Sequence, residues 1–145
     1  MHKVAPEIEA AIEIPLLHIA DATARQLQAD GIQRVGLLGT RFTMEQDFYK
    51  GRLQEKFGLE VLVPDAAQRE RVHRIIYDEL CLGDIRDASR AEYLAIIRAL
   101  ADTGAQAVIL GCTEIALLVG EAEAAVPLYD TTAIHAEAAV TLALA

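Results

Sequence analysis

What most constrains this chain is a repeated couplet, in which a short run of apolar residues is followed by a longer stretch with helical spacing that stops at glycine. The runs are Val35-Gly36-Leu37-Leu38-Gly39, Glu60-Val61-Leu62-Val63-Pro64, Ala107-Val108-Ile109-Leu110 and Val126-Pro127-Leu128-Tyr129. Each is too short for a buried helix and too continuously apolar for a strand with one wet face, so each reads as a strand buried on both sides. Between them, Thr43 can cap a helix over 44–57 that ends at Gly58, and a second stretch over 66–82 ends at Gly83. A third begins at Ser89 with Glu92 three residues on, the capping-box spacing, and runs to Thr103-Gly104. A short helix over 113–119 and an alanine-rich one over 131–144 complete the series. Ahead of the first couplet, 2–12 has amphipathic helical spacing, Ile14-Pro15-Leu16-Leu17-His18-Ile19 reads as one more buried strand, and 21–30 reads as a helix stopping at Gly31. Strands separated by helices pair in parallel through crossovers. The expectation is therefore an α/β fold, a parallel sheet with helices on both faces and functional groups at the carboxyl ends of the strands.

Composition narrows what such a fold can do. At 145 residues, 53% of them apolar and only 5% aromatic, the chain can build one ordinary core. Its net charge of -9, from 22 acidic against 13 basic residues without a long basic run, argues against nucleic acid and anionic membrane surfaces as partners. Cys81 and Cys112 are the two cysteines, with no Cys-x-x-Cys and no paired histidine spacing, so neither a disulfide framework nor a metal site is expected. The opening Met1-His2-Lys3-Val4-Ala5-Pro6-Glu7 lacks a signal-peptide plan, and no span of about 20 apolar residues exists for a membrane helix. A soluble protein of the reducing cytoplasm is the expectation.

Among residues able to do chemistry, Cys112 stands out because it follows a strand directly and precedes a helix. Its sulfur is expected at the mouth of the sheet, near free backbone N–H groups and a positive helix end that favour the thiolate; packing is the alternative role. Gly39-Thr40-Arg41-Phe42-Thr43 holds the matching place after the Val35 strand, where hydroxyls and amides can bind a carboxylate or simply cap a helix. Asp130-Thr131-Thr132 carries the same ambiguity. Cys81 reads as core or helix-surface filler, and His18, His73 and His135, scattered over separate elements, read as structural. Arg69-Glu70-Arg71 reads as a solvated helix face.

The segments Ile14-Pro15-Leu16-Leu17-His18-Ile19-Ala20-Asp21, Gly36-Leu37-Leu38-Gly39-Thr40 with Thr43, Ser89-Arg90, Gly111-Cys112-Thr113-Glu114 and Asp130-Thr131-Thr132 together resemble the aspartate/glutamate racemase family. The match runs over essentially the whole chain. It implies two flavodoxin-like α/β lobes around a cleft, each contributing a cysteine, that invert an amino-acid α-carbon without pyridoxal phosphate or any other cofactor. One thiolate removes the proton and the other thiol returns one on the opposite face. The family's first cysteine lies in a Cys-Asn-Thr-x-His segment, and Met1-His2 match its last two positions.

The resemblance thus implies a truncated form with impaired activity: residues 1–33 as the remnant of the first lobe, 34–129 as the second, and 130–145 as a terminal helix returning to the first. It makes Cys112 an acid/base, lets Thr113 and Glu114 shape its loop, and has Gly39, Thr40 and Thr43 contact the substrate. Met1 and His2 would line the same cleft. Arg86 and Arg90 are candidates for a basic substrate contact. The expected partner is a small amino-acid substrate, and exposed apolar surface would favour a homo-oligomer. A non-catalytic amino-acid-binding or assembly module, and a related hydantoin racemase or maleate isomerase, are the alternatives.

Overall fold

The computed structural model describes residues 2–145. Strands β1 (Arg34–Leu38), β2 (Glu60–Leu62), β3 (Ala107–Leu110) and β4 (Leu128–Asp130) form one parallel sheet in the order β2-β1-β3-β4. In register, Val35 lies opposite Val61, Gly36 opposite Val108, and Val108 opposite Leu128. Parallel neighbours require crossovers, and these are helical. Helices α3 (Arg41–Glu45) and α4 (Asp47–Phe57) join β1 to β2; α5 (Ala66–Asp78), a 3-10 turn at Leu80–Leu82 and α6 (Asp87–Asp102) join β2 to β3; α7 (Ile115–Leu118) joins β3 to β4. Helices α1 (Ala5–Ala11) and α2 (Ile19–Ala29) precede the sheet, and α8 (Thr131–Leu144) follows it. The α/β architecture expected from the couplets is the one observed.

Successive strand residues point to opposite faces, which explains why the runs are apolar throughout. Leu38, Val108 and Leu110 face a core with Val72, Ile75, Ile76, Tyr93 and Ile97 from α5 and α6. Val35, Leu37, Ala107 and Ile109 face the other core, filled by Ala20, Ala24 and Leu27 of α2 and by Tyr49 and Leu53 of α4. No helix among the described residues is long and apolar enough to cross a membrane.

Three local expectations are corrected. The helix read over 44–57 is two helices, because Met44 is buried in the first core whereas Tyr49 and Leu53 are buried in the second. One straight helix cannot serve both faces, and the chain bends at Gln46, which is extended (φ −87, ψ 153). Thr40, not Thr43, is the cap: its side chain accepts the Thr43 N–H. Likewise the stretch over 66–82 breaks after α5 at Glu79, whose carboxylate turns inward to accept the Ser89 hydroxyl at 2.5 Å. Ser89 is therefore a buried residue in the first turn of α6, which starts at Asp87 rather than being capped by Ser89. Finally, Ile14-Pro15-Leu16-Leu17-His18-Ile19 forms no strand. Pro15 has no N–H for a ladder, Ile14 is 73% exposed, and His18 ends the run by capping α2, its Nδ1 accepting the Ala20 N–H at 3.1 Å.

Candidate active site

The connection after β1 leads toward β2 at one edge of the sheet, and the connection after β3 leads toward β4 at the other. Where the two part, between β1 and β3 at their carboxyl ends, an open parallel sheet has its ligand crevice. Both turns singled out in the sequence, 39–43 and 111–114, begin there. Two glycines let them touch. Gly111 donates its N–H to the Leu38 carbonyl at 2.7 Å, and a Cβ on Gly111 would stand 2.6 Å from that oxygen. A Cβ on Gly39 would stand 3.0 Å from Thr43 Cγ2 and 3.6 Å from the Gly111 carbonyl. The Thr43 side chain thus fills the space between the turns. Its Oγ1 lies 3.3 Å from Thr40 Oγ1, so the two hydroxyls sit together beside the turn that bears Cys112.

Cys112 is half-buried against the core beneath it, and its Sγ donates to Glu114 Oε2 at 3.2 Å. Burial, and then the hydrogen bond to Glu114 and that group's negative charge, push the thiol up from 9.0 to about 12. The Cys81 thiol, on the Leu80–Leu82 turn that packs against α7, adds to the elevation. This corrects the expectation of a resting thiolate. A four-residue α7 that starts three positions later offers little dipole, and desolvation with an adjacent carboxylate outweighs it. At rest the pair is a thiol and a carboxylate. Burial works to raise Glu114, but hydrogen bonds from the Cys112 thiol, its own backbone N–H and Thr113 hold it below the usual range. A sulfur so hard to ionise is a strong base once it has lost its proton.

The other sequence candidates fall in three places. Arg86 is paired with Asp84 and reaches Glu79 at 3.6 Å, while Arg90 donates to the Leu118 carbonyl at 2.8 Å and to Asp87 at 2.6 Å, so both are held by their own chain. Asp130 caps α8, accepting the Thr132 and Ala133 N–H groups, and Thr131 donates from a buried position to the Leu110 carbonyl at 2.9 Å, locking α8 to the end of β3. His2 is not brought to Cys112 by any contact; its ring lies 5.3 Å from His18 and 6.3 Å from Tyr49. Met1 falls outside the described residues.

For two supports, sequence reasoning missed the partners. Asp21, read only as part of a helix, is buried and held by Arg52 and Lys56 of α4, which clamps α2 onto the sheet. Burial opposes its ionisation, yet those two cations bring its carboxyl down to about 2. His73, read as structural, accepts the Arg41 N–H at the start of α3. Neither carries a local pattern, because each acts across more than thirty residues.

Comparison with known proteins identifies the family. The family described as Asp/Glu/Hydantoin racemase matches residues 1–139. A candidate Asp/Glu racemase from Yersinia pestis is 60% identical, with a TM-score of 0.97 over 100% of this chain and 63% of its own. An aspartate racemase homologue from Pyrococcus horikoshii OT3 is 34% identical, with a TM-score of 0.90 over 99% of this chain and 63% of its own. The aspartate racemase of Picrophilus torridus, 21% identical with a TM-score of 0.61 over 84% of this chain and 52% of its own, shares the fold. The chain thus spans less than two thirds of the length of the first two. With a family match over nearly all of its residues and structural relatives at 60% and 34% identity, the chain belongs to the Asp/Glu/hydantoin racemase family.

Proposed function

We propose that Cys112 is one acid/base group of a cofactor-independent racemisation of aspartate or glutamate. The observation that carries this reading is the Cys112–Glu114 pair at the switch point of the sheet, on the turn against which the side chain of Thr43 packs at Gly111. The names of the two more similar relatives support acidic amino acids as substrates.

An amino-acid α-proton is very weakly acidic, so its removal needs a strong base in a dry site. Protonated at rest, Cys112 delivers its proton to the α-carbon from its own side of the crevice, becoming a thiolate as the carbanion is quenched. In the reverse direction that thiolate takes the α-proton. Glu114, 3.2 Å away, is the group placed to accept or return the proton as Cys112 changes state. The Thr40 and Thr43 hydroxyls, with the backbone of Gly39 and Thr113, serve the substrate carboxylate, where charge develops as the proton leaves.

Inversion also needs a group on the opposite face. Cys81 and Cys112 are the cysteines of this sequence, and neither lies in a Cys-Asn-Thr-x-His segment. By itself the 145-residue chain is therefore expected to exchange the α-proton without efficient inversion. The test is incubation of the chain and its Cys112→Ser variant with the L- and D-isomers of aspartate and glutamate in heavy water, following α-proton loss by NMR and formation of the opposite isomer by chiral chromatography. Exchange that requires Cys112, with little of the opposite isomer, is the expected result. Rapid formation of the opposite isomer refutes the one-sided site, and binding without exchange by the parent chain favours a non-catalytic module.

A further inference from the structure

We propose that His73 is a positioning residue for the substrate-facing turn after β1, acting as the acceptor that holds the first amide of α3. This inference rests on the racemase reading above.

Three observations converge on this ring. Its Nδ1 accepts the Arg41 N–H at 3.1 Å, joining α5 to α3 across 32 residues of chain. The ring is held between two aromatic neighbours, Phe42 edge-on at 6.1 Å and Tyr77 tilted at 4.9 Å between centroids, both about half-exposed. The turn it holds also carries Thr40, whose Oγ1 accepts the Thr43 N–H, and Thr43, which fills the gap between Gly39 and Gly111 beside Cys112. Free N–H groups at a helix start need an acceptor, and Thr40 supplies one for Thr43. His73 supplies one for Arg41. Without it, the Arg41 N–H loses its only protein acceptor among the described residues, and the five-residue α3 can drift relative to Gly111.

The acceptor role requires a neutral ring with its proton on Nε2, because a doubly protonated imidazole has no lone pair to offer. The charged groups around it are Arg41 of α3 and Glu70 and Arg74 of α5; Glu70 pairs with both arginines and itself feels the ring. Tyr77 is the remaining titratable neighbour.

The experiment compares the full chain with His73→Phe, which keeps the aromatic contacts and loses the acceptor, and His73→Asn, which restores an acceptor oxygen on a shorter arm. Amide exchange at Arg41 reports the turn, and calorimetry with L-aspartate reports the site. In His73→Phe, Arg41 exchange should rise and aspartate affinity fall, each by about 2- to 10-fold, the range for one hydrogen bond. Protection at Val35 and Leu37 should be retained, and His73→Asn should recover part of both effects. Unchanged Arg41 exchange, loss of protection throughout β1, or unchanged aspartate affinity despite a freed Arg41 amide each overturns the inference. Failure of the parent chain to bind aspartate refutes the racemase reading itself, and with it this role.

Discussion

Replacing Glu114 by glutamine separates the carboxylate's share of the Cys112 elevation from that of burial. The thiol lies about three pH units above its ordinary 9.0, and the causes in order are burial, the hydrogen bond to Glu114 and the charge of Glu114. Glutamine removes the charge and the charge-assisted hydrogen bond while leaving burial in place. If these account for half of the elevation, the thiolate population at pH 8 rises roughly 30-fold. A less basic thiolate is also a poorer nucleophile, with a Brønsted coefficient of about 0.4–0.5, so the observed rate should rise only about six- to eightfold. The assay is stopped-flow reaction with an aromatic disulfide across pH 6 to 10, in a Cys81→Ser background because Cys81 is exposed and would react as well. The sign follows from the structure: a group whose pKa is raised gains reactivity as pH climbs toward about 12, and the variant reaches a given rate at lower pH. An unchanged or slower reaction in Glu114→Gln would refute the assignment to Glu114 of a share in keeping Cys112 protonated. Any α-proton exchange by the parent chain should meanwhile fall in the variant, since glutamine cannot take the proton.

Two further perturbations test the scaffold under the site. Asp21→Asn should cost about 2 kcal/mol at pH 7, the linkage value of a carboxyl brought from 3.8 to about 2. Because that pKa is depressed on folding, the difference between variant and parent in urea titrations should be full above about pH 4 and vanish as pH falls through about 2; a constant difference across this range would show that the charge of Asp21 is not its source. Gly111→Ala should cost at least about 2 kcal/mol in chemical denaturation, because the added methyl meets the Leu38 carbonyl at 2.6 Å and that backbone already spends its acceptor on the Gly111 N–H. A variant as stable as the parent would mean that β1 and β3 can part at their carboxyl ends without penalty.

How much of this could be read in advance depended on whether the governing interaction was local. The four strands were legible because each is apolar on both faces, and α8 because Asp130 caps it and alanines fill it. Misread elements share one cause. Helix 44–57 is divided because Met44 and Tyr49 belong to opposite cores, and 66–82 is broken because the Glu79 carboxylate meets Ser89 ten residues later. Local spacing records neither demand. The run from Ile14 to Ile19 shows the converse, with a strand-like composition but no ladder in this sheet and a cap at His18 in its place.

The site divides in the same way. Cys112, Thr113 and Glu114 are contiguous, and their place between an apolar run and a helix, together with the family resemblance, could be read from one segment of chain. The protonation state of Cys112 could not. Strand-to-helix position suggested a thiolate, whereas the shortness of α7, the burial of the sulfur and the direction of the Glu114 side chain produce a thiol, and those are properties of the packed molecule. By itself, then, the sequence determined the α/β class, the location of the crevice-bearing turns and the chemical identity of the group at their centre, because these follow from periodicity and residue type. Only the tertiary structure decided which strands are neighbours, that Thr43 joins two turns seventy residues apart, and how tightly Cys112 holds its proton, because each depends on distances between groups that the chain brings together only by folding.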